Sequence, residues 1–274
     1  MKIISWNVNG IRANIKKGGF DWLINQNADI FCLQETKAHP DQLPNEVITP
    51  FGYKSYFDHS KLRKGYSGVA VYVRITLKPE KVEYGLGIEE LDKEGRQIAI
   101  FFNNKDENRD KDGNNAKNSH FCLVNTYFPN GGGGPERLAY KLRYYDAFLS
   151  YIEKIRKQGY AIIFTGDINT AHTEIDLARP KENIDNTGFL PIERAWIDRV
   201  IVKKYVDTFR YQNPKTIGAY TYWDMKTFAR ERNVGWRIDY FFVSDDLTEK
   251  VKKSEIFFNV LGSDHCPIFL DIAL

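Results

Sequence analysis

Eight short runs rich in β-branched and aromatic residues recur along the chain: Lys2–Val8, Ala28–Gln34, Gly68–Ile75, Gln97–Phe102, Phe121–Tyr127, Tyr160–Thr165, Ile238–Ser244 and Pro267–Ala273. Their lengths and residue types predict strands, and several are apolar at consecutive positions, as strands buried on both faces are. Between Pro135 and Lys157 the period changes. Leu138, Leu142, Tyr145, Leu149, Ile152 and Ile155 fall three and four residues apart behind a proline suited to a first turn, which predicts a long helix. A second helix is predicted over Ile192–Lys204. Strands and helices interleave irregularly, with strands often consecutive. That pattern predicts an α/β fold in which two mixed sheets pack together with helices outside. No short-period repeat is evident.

Two stretches break the pattern. Residues Asn103 to Asn118 lack apolar periodicity and carry four acids (Asp106, Glu107, Asp110, Asp112) against four bases (Lys105, Arg109, Lys111, Lys117). This reads as a solvated, flexible insertion between two strands, and its cancelling charges argue against a polyanion-binding arm. The glycine run Gly131–Gly134 precedes the long helix, where a backbone free of side chains can approach a phosphate.

Composition narrows the picture. Hydrophobic residues make up 42% and aromatics 14% of the 274 positions, enough to build a substantial core, and no linker divides the chain, so one domain over 1–274 is expected. The 39 lysines and arginines exceed the 36 acids by three, so any nucleic-acid face must come from local clustering. Cys32, Cys122 and Cys266 are odd in number, far apart and set in apolar runs. They read as buried reduced thiols, with neither a disulfide framework nor a zinc site implied. No signal peptide is apparent at Met1–Val8, and no apolar stretch approaches the ~20 residues that span a bilayer. A monomer acting in the cytoplasm is the expectation.

The polar residues of most interest sit where the strand-like runs end: Asn7 and Asn9 in SWNVNG, Glu35 in LQETK, Tyr127 and Asn130 in NTYFPN, Asp167 and Asn169 in GDIN, Asp239 in WRIDYF, and Asp264 and His265 in GSDH. The rim of a mixed sheet presents functional groups in this way. Glu35, Asp167 and Asp264 with the asparagine amides form an oxygen-rich set suited to Mg²⁺, with Mn²⁺ as a substitute, whereas zinc would want more imidazole or thiolate. Each acid alone is more often a cap or a surface group. The combination is what points to a site. Asp264 beside His265 does not make a dyad, because neighbours in a strand point to opposite faces, so another acid or a turn must orient the histidine. His39, His59, His120 and His172 have no comparable setting and read as surface or cap residues. The segment Tyr220–Arg237 mixes Tyr220, Tyr222, Trp223, Phe228 and Trp236 with Lys226, Arg230, Arg232 and Arg237. Aromatics of this kind can stack on a nucleotide while the cations meet phosphates, or they can be core with a solvated cationic rim.

At these motifs the sequence resembles the exonuclease III family of AP endonucleases, within the endonuclease/exonuclease/phosphatase superfamily. WNVNGIRA, LQETK, GYSGVAVY, NTYFPN, GDINTAHTEIDL, NVGWRIDYF and GSDHCP occur in the family's order, and only 103–118 falls outside. The resemblance implies a four-layer α/β sandwich with its site at the rim between the sheets. It implies Glu35 as the principal metal ligand, with Asn7, Asn9 and Asp264 around it. Asp167 and Asn169 are similar to the residues that activate and hold the attacking water. His265 resembles the histidine that contacts the scissile phosphate, with Asp239 orienting it and Tyr127 near the leaving oxygen; Asp167, Asn169 and His265 also lie within reach of the ion. Some relatives have aspartate at the position of Asn9, so this chain has one negative charge fewer there.

The implied substrate is double-stranded DNA with abasic sites or blocked 3′ ends, cut 5′ to the lesion to leave a 3′-hydroxyl. Tyr222, Trp236 and Ile238 match the family's pocket for a flipped abasic sugar, with Asn130 beside the DNA. Gly133 and Lys226 stand where a family member fills the kinked duplex with arginine and methionine. Weaker intercalation, greater salt sensitivity and appreciable 3′→5′ exonuclease activity are therefore expected. The rival readings are a nonspecific nuclease, a DNA-uridine endonuclease, a phosphoinositide phosphatase of the same superfamily, or a DNA-binding protein that has lost catalysis. The last would need a broken catalytic position, and none of Glu35, Asp167, Asn169, Asp239 or His265 is missing.

Overall fold

The alternation of side chains along the central strands builds the molecule in layers. In the computed structural model, which describes residues 1–104 and 119–274, the strands are β1 (Lys2–Asn7), β2 (Ile30–Gln34), β3 (Tyr53–Asp58), β4 (Val69–Arg74), β5 (Lys81–Tyr84), β6 (Gln97–Asn104), β7 (Ser119–Tyr127), β8 (Ala161–Asp167), β9 (Tyr205–Asp207), β10 (Asp239–Ser244), β11 (Val251–Ile256) and β12 (Ile268–Ile272). They form two six-stranded mixed sheets, ordered β11-β12-β1-β2-β4-β3 and β5-β6-β7-β8-β10-β9. Ile3, Ile30, Cys32, Val69, Val71 and Val73 of the first sheet pack against Ile98, Ile100, Leu123, Ile163 and Phe241 of the second. The intervening residues face outward: Ile4, Trp6, Phe31, Leu33 and Tyr72 on the first sheet, and Phe101, Val124, Ile162, Phe164 and Phe242 on the second. Both faces of each central strand are thus buried, which is why the strands read as continuous apolar runs.

Helices cover the outer faces. Beside the first sheet lie α1 (Ile11–Lys16) and α2 (Gly19–Asn25), whose Ile11, Phe20 and Leu23 join its outer cluster. After the short α3 (Asn45–Ile48) and α4 (Glu89–Asp92), the long α5 (Pro135–Lys157) covers the second sheet through Tyr144, Tyr145, Phe148, Leu149, Ile152 and Ile155. Beyond α6 (Pro180–Asn183), α7 (Pro191–Val202) adds Trp196, Ile197 and Val200 to the same cluster, and α8 (Thr208–Gln212) follows β9. The order of layers is helices, sheet, sheet, helices, as the α/β sandwich expectation has it. The three cysteines are free and buried.

The eight strands expected from the sequence are the eight inner strands. The four that were not expected, β3, β5, β9 and β11, are the four sheet edges. Of the insertion expected at 103–118, Asn103 and Asn104 close β6 and the remainder lies outside the described residues. No helix among the described residues is long and apolar enough to cross a membrane.

Candidate active site

The ends of six strands meet at one rim. Strand β1 ends on Asn7, and the parallel β2 ends on Gln34, one residue before Glu35. In the second sheet β7 ends on Tyr127 and its parallel neighbour β8 on Asp167, while the antiparallel β10 begins at Asp239, paired with Asp167. His265 lies just before β12, which runs antiparallel to β1. Each half of the site therefore belongs to a different sheet, and their alignment depends on how the sheets pack.

The backbone at the rim is unusual. Asn9, Glu35, Lys37 and Asn169 have φ of 44°, 50°, 49° and 56°, in the left-handed region that non-glycine residues avoid. Gly166, at φ 137°, precedes Asp167 where β7 and β8 close in; a Cβ there would lie 1.8 Å from the Thr126 carbonyl oxygen. Only glycine fits, and it delivers Asp167 to the rim.

Glu35, Asp167 and His265 offer ligand atoms within 4.8 Å of one another. His265 Nε2 is 3.9 Å from Asp167 Oδ2, and its Nδ1 is 2.8 Å from Asp239 Oδ2. Asp239, at the start of β10 in the other sheet, and not the adjacent Asp264, is the acid that pairs with the imidazole. Ser263 sets the turn: its Oγ donates to the Asn7 carbonyl at 2.8 Å and accepts from the His265 backbone N–H at 3.2 Å. Two carboxylates beside one imidazole at a half-buried rim fit a hard divalent cation.

The amides expected around the ion also bind the acids of the rim together. Asn7 donates from Nδ2 to Glu35 Oε1 at 2.8 Å and to Asp167 Oδ2 at 2.9 Å, while its Oδ1 accepts the Asn9 backbone N–H. Asn169 likewise turns its Nδ2 toward Asp167 Oδ2 at 3.3 Å and the Phe128 carbonyl at 2.9 Å, and its Oδ1 accepts from Asn130 at 3.1 Å. Asn9 donates to Asp264 Oδ2 at 2.9 Å and accepts from Lys37 Nζ. With their oxygens engaged, Asn7, Asn9 and Asn169 hold the carboxylates in place. Asp264, bonded to Asn9 and Ser263, does not join the group of Glu35, Asp167 and His265.

Charge in this cluster is poised. Burial raises the Asp167 pKa, and Asp239 and Glu35 add to the rise against the opposing His265 charge. Burial alone would lower the His265 pKa, but Asp239, with Asp167 and Asp264 behind it, pushes it up to about 10. Glu35 goes the other way: burial opposes ionisation, yet Lys37 and the Asn7 amide hold its pKa below the usual value. The Tyr127 hydroxyl is pushed well up by burial and by the Glu35 and Asp167 charges, so it keeps its proton.

Several contributors were not singled out in the sequence. Lys37 forms an ion pair with Glu35 Oε2 at 2.7 Å, and its place two residues after Glu35 in LQETK was the available signal. The Arg96 guanidinium lies 4.6 Å over the Tyr127 ring and donates to the Tyr127 carbonyl at 2.9 Å. Glu94 holds Arg96 at 2.6 Å and Arg137 at 3.0 Å. Glu94 and Arg96 are two residues apart just before β6, but Arg137 joins them from the first turn of α5, more than forty residues along the chain. The other histidines have separate partners: the His39 and His59 rings meet tilted, 3.9 Å apart, His120 packs against Tyr160, and His172 pairs with Asp198.

Beside His265 lies an apolar patch. Tyr222, 4.9 Å from the His265 ring, and Trp236 are half-buried and pack with buried Ile238, Ala171, Leu177 and Phe189. Phe189 and Leu177 come from the GDIN-to-α7 stretch and were not expected. Asn130, Gly133 and Lys226 are exposed. The proposed phosphate role fails for Arg237, which is fully buried and bonds Asp176 Oδ1 and Asp207 Oδ2, each at 2.7 Å. In the extended segment Trp236–Ile238, alternate side chains face opposite ways, so Trp236 and Ile238 line the patch while Arg237 points inward. Tyr220 and Trp223 are also buried, and Arg230 covers Trp223 at 4.6 Å.

Comparison with known proteins shows the family and the fold. Residues 4–265 match the Endonuclease/Exonuclease/phosphatase family. The chain is 42% identical over 273 residues to the exodeoxyribonuclease of Bacillus subtilis (strain 168), covering 99% of each. It is 40% identical over 271 residues to the DNA-(apurinic or apyrimidinic site) endonuclease of Dictyostelium discoideum, covering 98% of this chain and 69% of the relative. The catalytic domain of Xenopus laevis APE2 superposes with a TM-score of 0.86 at 34% identity, covering 99% of this chain and 91% of that one.

Proposed function

The chain belongs to the endonuclease/exonuclease/phosphatase family and is a nuclease, and from that premise we propose that it hydrolyses the phosphodiester 5′ to an abasic site in duplex DNA. The product is a 3′-hydroxyl, and the same site trims blocked or ordinary 3′ ends. The observation that carries this reading is the Asp239–His265 pair facing Asp167 and Glu35 beside the Tyr222–Trp236–Ile238 patch.

Water attacks the phosphorus as the bond to the 3′-oxygen breaks. Asp167, made more basic by burial and its acidic neighbours, takes the proton of that water, while the Asn169 backbone N–H at 2.7 Å and its amide fix the carboxylate. His265 is charged near neutrality and offsets the negative charge that develops on the phosphoryl oxygens. Tyr127 directs its hydroxyl proton toward the leaving 3′-oxygen. The Glu35 carboxylate, with Asp167 beside it, would hold a divalent cation, Mg²⁺ by the chemistry of the oxygen donors, and such an ion would supply further charge neutralisation next to the charged His265 ring. Tyr222, Trp236 and Ile238 select the lesion by shape: an abasic sugar fits between them, and an intact nucleotide has in addition to be unstacked.

An incision assay tests the reading. Duplexes carrying an abasic analogue, a deoxyuridine or no lesion are compared with and without Mg²⁺. Preferential metal-dependent cutting 5′ to the analogue is expected; equal cutting of all three duplexes would sink the lesion assignment.

A further inference from the structure

Lys141 sits among the apolar residues of α5 that face the second sheet, and it is fully buried. Its Nζ is 2.6 Å from Oε1 of Glu193, itself fully buried on α7. The same ammonium donates to the Asn169 carbonyl at 2.8 Å and to Thr170 Oγ1 at 2.9 Å. Glu193 in turn accepts from Thr187 Oγ1 at 2.8 Å and from the backbone N–H groups of Gly188 and Leu190 at 2.6 and 3.1 Å. The pair is therefore fully bonded at both ends, and the two ends differ. One grips the loop that aims Asn169 at Asp167. The other grips the turn that carries Gly188 and Phe189.

That turn forms the back of the apolar patch. The Phe189 ring meets Trp236 edge-on at 6.5 Å. A Cβ on Gly188 would lie 3.3 Å from both the Trp236 ring and the Asn169 carbonyl, and the Gly188 carbonyl accepts the Ala171 N–H at 2.8 Å. Stability alone does not call for charges here, since apolar residues of similar volume commonly replace a buried ion pair at no loss. What the pair supplies is two fixed anchoring points joined through one rigid contact.

We propose that Lys141 and Glu193 are positioning residues that tie the Trp236–Phe189 patch to the Asp167–Asn169 loop, so that a seated lesion and an aligned water-activating carboxylate occur together. This rests on the abasic-site reading above for its ligand, and it assigns no contact with substrate to either residue. A pair that only held the fold together would affect the amount of folded enzyme. A positioning pair affects the rate per folded molecule and the choice of substrate.

The test uses the full chain as Lys141→Met, Glu193→Gln and the double variant, which removes both charges and leaves none unpaired. Thermal midpoints, single-turnover rate constants and KM are measured on a duplex with an abasic analogue and on an undamaged duplex with a recessed 3′ end. The double variant is expected to regain most of the midpoint lost by Lys141→Met, yet to cut the abasic duplex about tenfold more slowly with KM changed far less, and to lose part of its preference for the lesion. Recovery of both midpoint and rate in the double variant overturns the proposal. Should the double variant fold poorly, Lys141→Arg keeps the charge and donors but alters their reach; a wild-type rate per folded molecule in that variant also overturns it. If the wild type shows no lesion preference, the functional reading fails, and the rate ratios on undamaged DNA still judge the pair.

Discussion

Asp167 and Asp176 are equally buried, and their surroundings are opposite. Asp167 faces Asp239 and Glu35, and burial with those like charges raises its pKa. Burial also opposes ionisation of Asp176, but Arg237 at 2.7 Å and Arg210 at 2.6 Å overwhelm it and hold its carboxyl well below the usual range. In the second cluster every carboxylate meets a guanidinium, and the network fixes the segments that carry Trp236 and Thr208. In the first, acids crowd together around His265 and are kept apart by amides. Charge matched within the fold stabilises it; charge left unmatched is available for a ligand or a reaction.

The sharpest way to break this contrast is to remove metal. EDTA is expected to reduce incision to background, and Mg²⁺ or Mn²⁺ to restore it, while the Asp176 cluster, which has no use for a cation, keeps the chain folded throughout. Circular dichroism recorded alongside the incision assay checks both halves; undiminished cutting in EDTA removes the metal from the mechanism.

Exchanging each aspartate for asparagine separates the two roles. Asp167→Asn should lower single-turnover incision by at least ~10²-fold, with a thermal midpoint equal to or above the wild type's. Asp176→Asn should lower the thermal midpoint by leaving the buried Arg237 with Asp207 as its one carboxylate among the described residues and by removing the partner of Arg210, with the rate per folded molecule close to wild type. Unfolding by the first variant, or loss of chemistry by the folded second, would reverse the assignment.

Titration distinguishes them by sign. Asp176 has a lowered folded pKa, so its stabilisation is present above the unfolded value of about 3.9 and is lost as pH falls through the folded value. Asp167 has a raised folded pKa, so its contribution is present below about 3.9 and is lost as pH rises through the raised value. Denaturant melts across pH should therefore lose acid-side dependence in Asp176→Asn and neutral-side dependence in Asp167→Asn. Incision should fall as pH passes about 10, where His265 loses its proton, and Asp239→Asn should move that limb downward.

The smallest effect concerns the exposed rim. Lys226→Ala is expected to weaken DNA binding modestly and to reduce the slope of log affinity against log salt by about 1. A slope equal to the wild type's would show that Lys226 is no DNA contact.

Much of the architecture was legible because burial writes itself into sequence. Inner strands flanked by a sheet on one side and helices on the other must be apolar at nearly every position, so Ile30–Gln34 or Ala161–Asp167 could be read directly. Edge strands such as Lys81–Tyr84 and Val251–Ile256 are partly solvated, carry lysine and glutamate, and leave no such trace. The site was legible for a related reason: a rim residue is polar where its strand is not, and Asn7, Glu35, Tyr127, Asp167 and Asp239 all sit at that transition.

What the sequence by itself determined was therefore the layered fold, the set of polar residues that end its strands, and, through their motifs, the family. Which of those residues touch, and through which atoms, depended on tertiary packing. Asp239 and His265 meet because β10 and the turn before β12 converge from different sheets. Asn7 and Asn169 reach the carboxylates through their amide nitrogens because packing brings Glu35 and Asp167 beside them. Arg237 faces inward, and Lys141 finds Glu193, through alternation and helix docking that no short window of sequence contains. Side-chain type is a local property, whereas the partner that satisfies a buried charge comes from wherever the folded chain brings it.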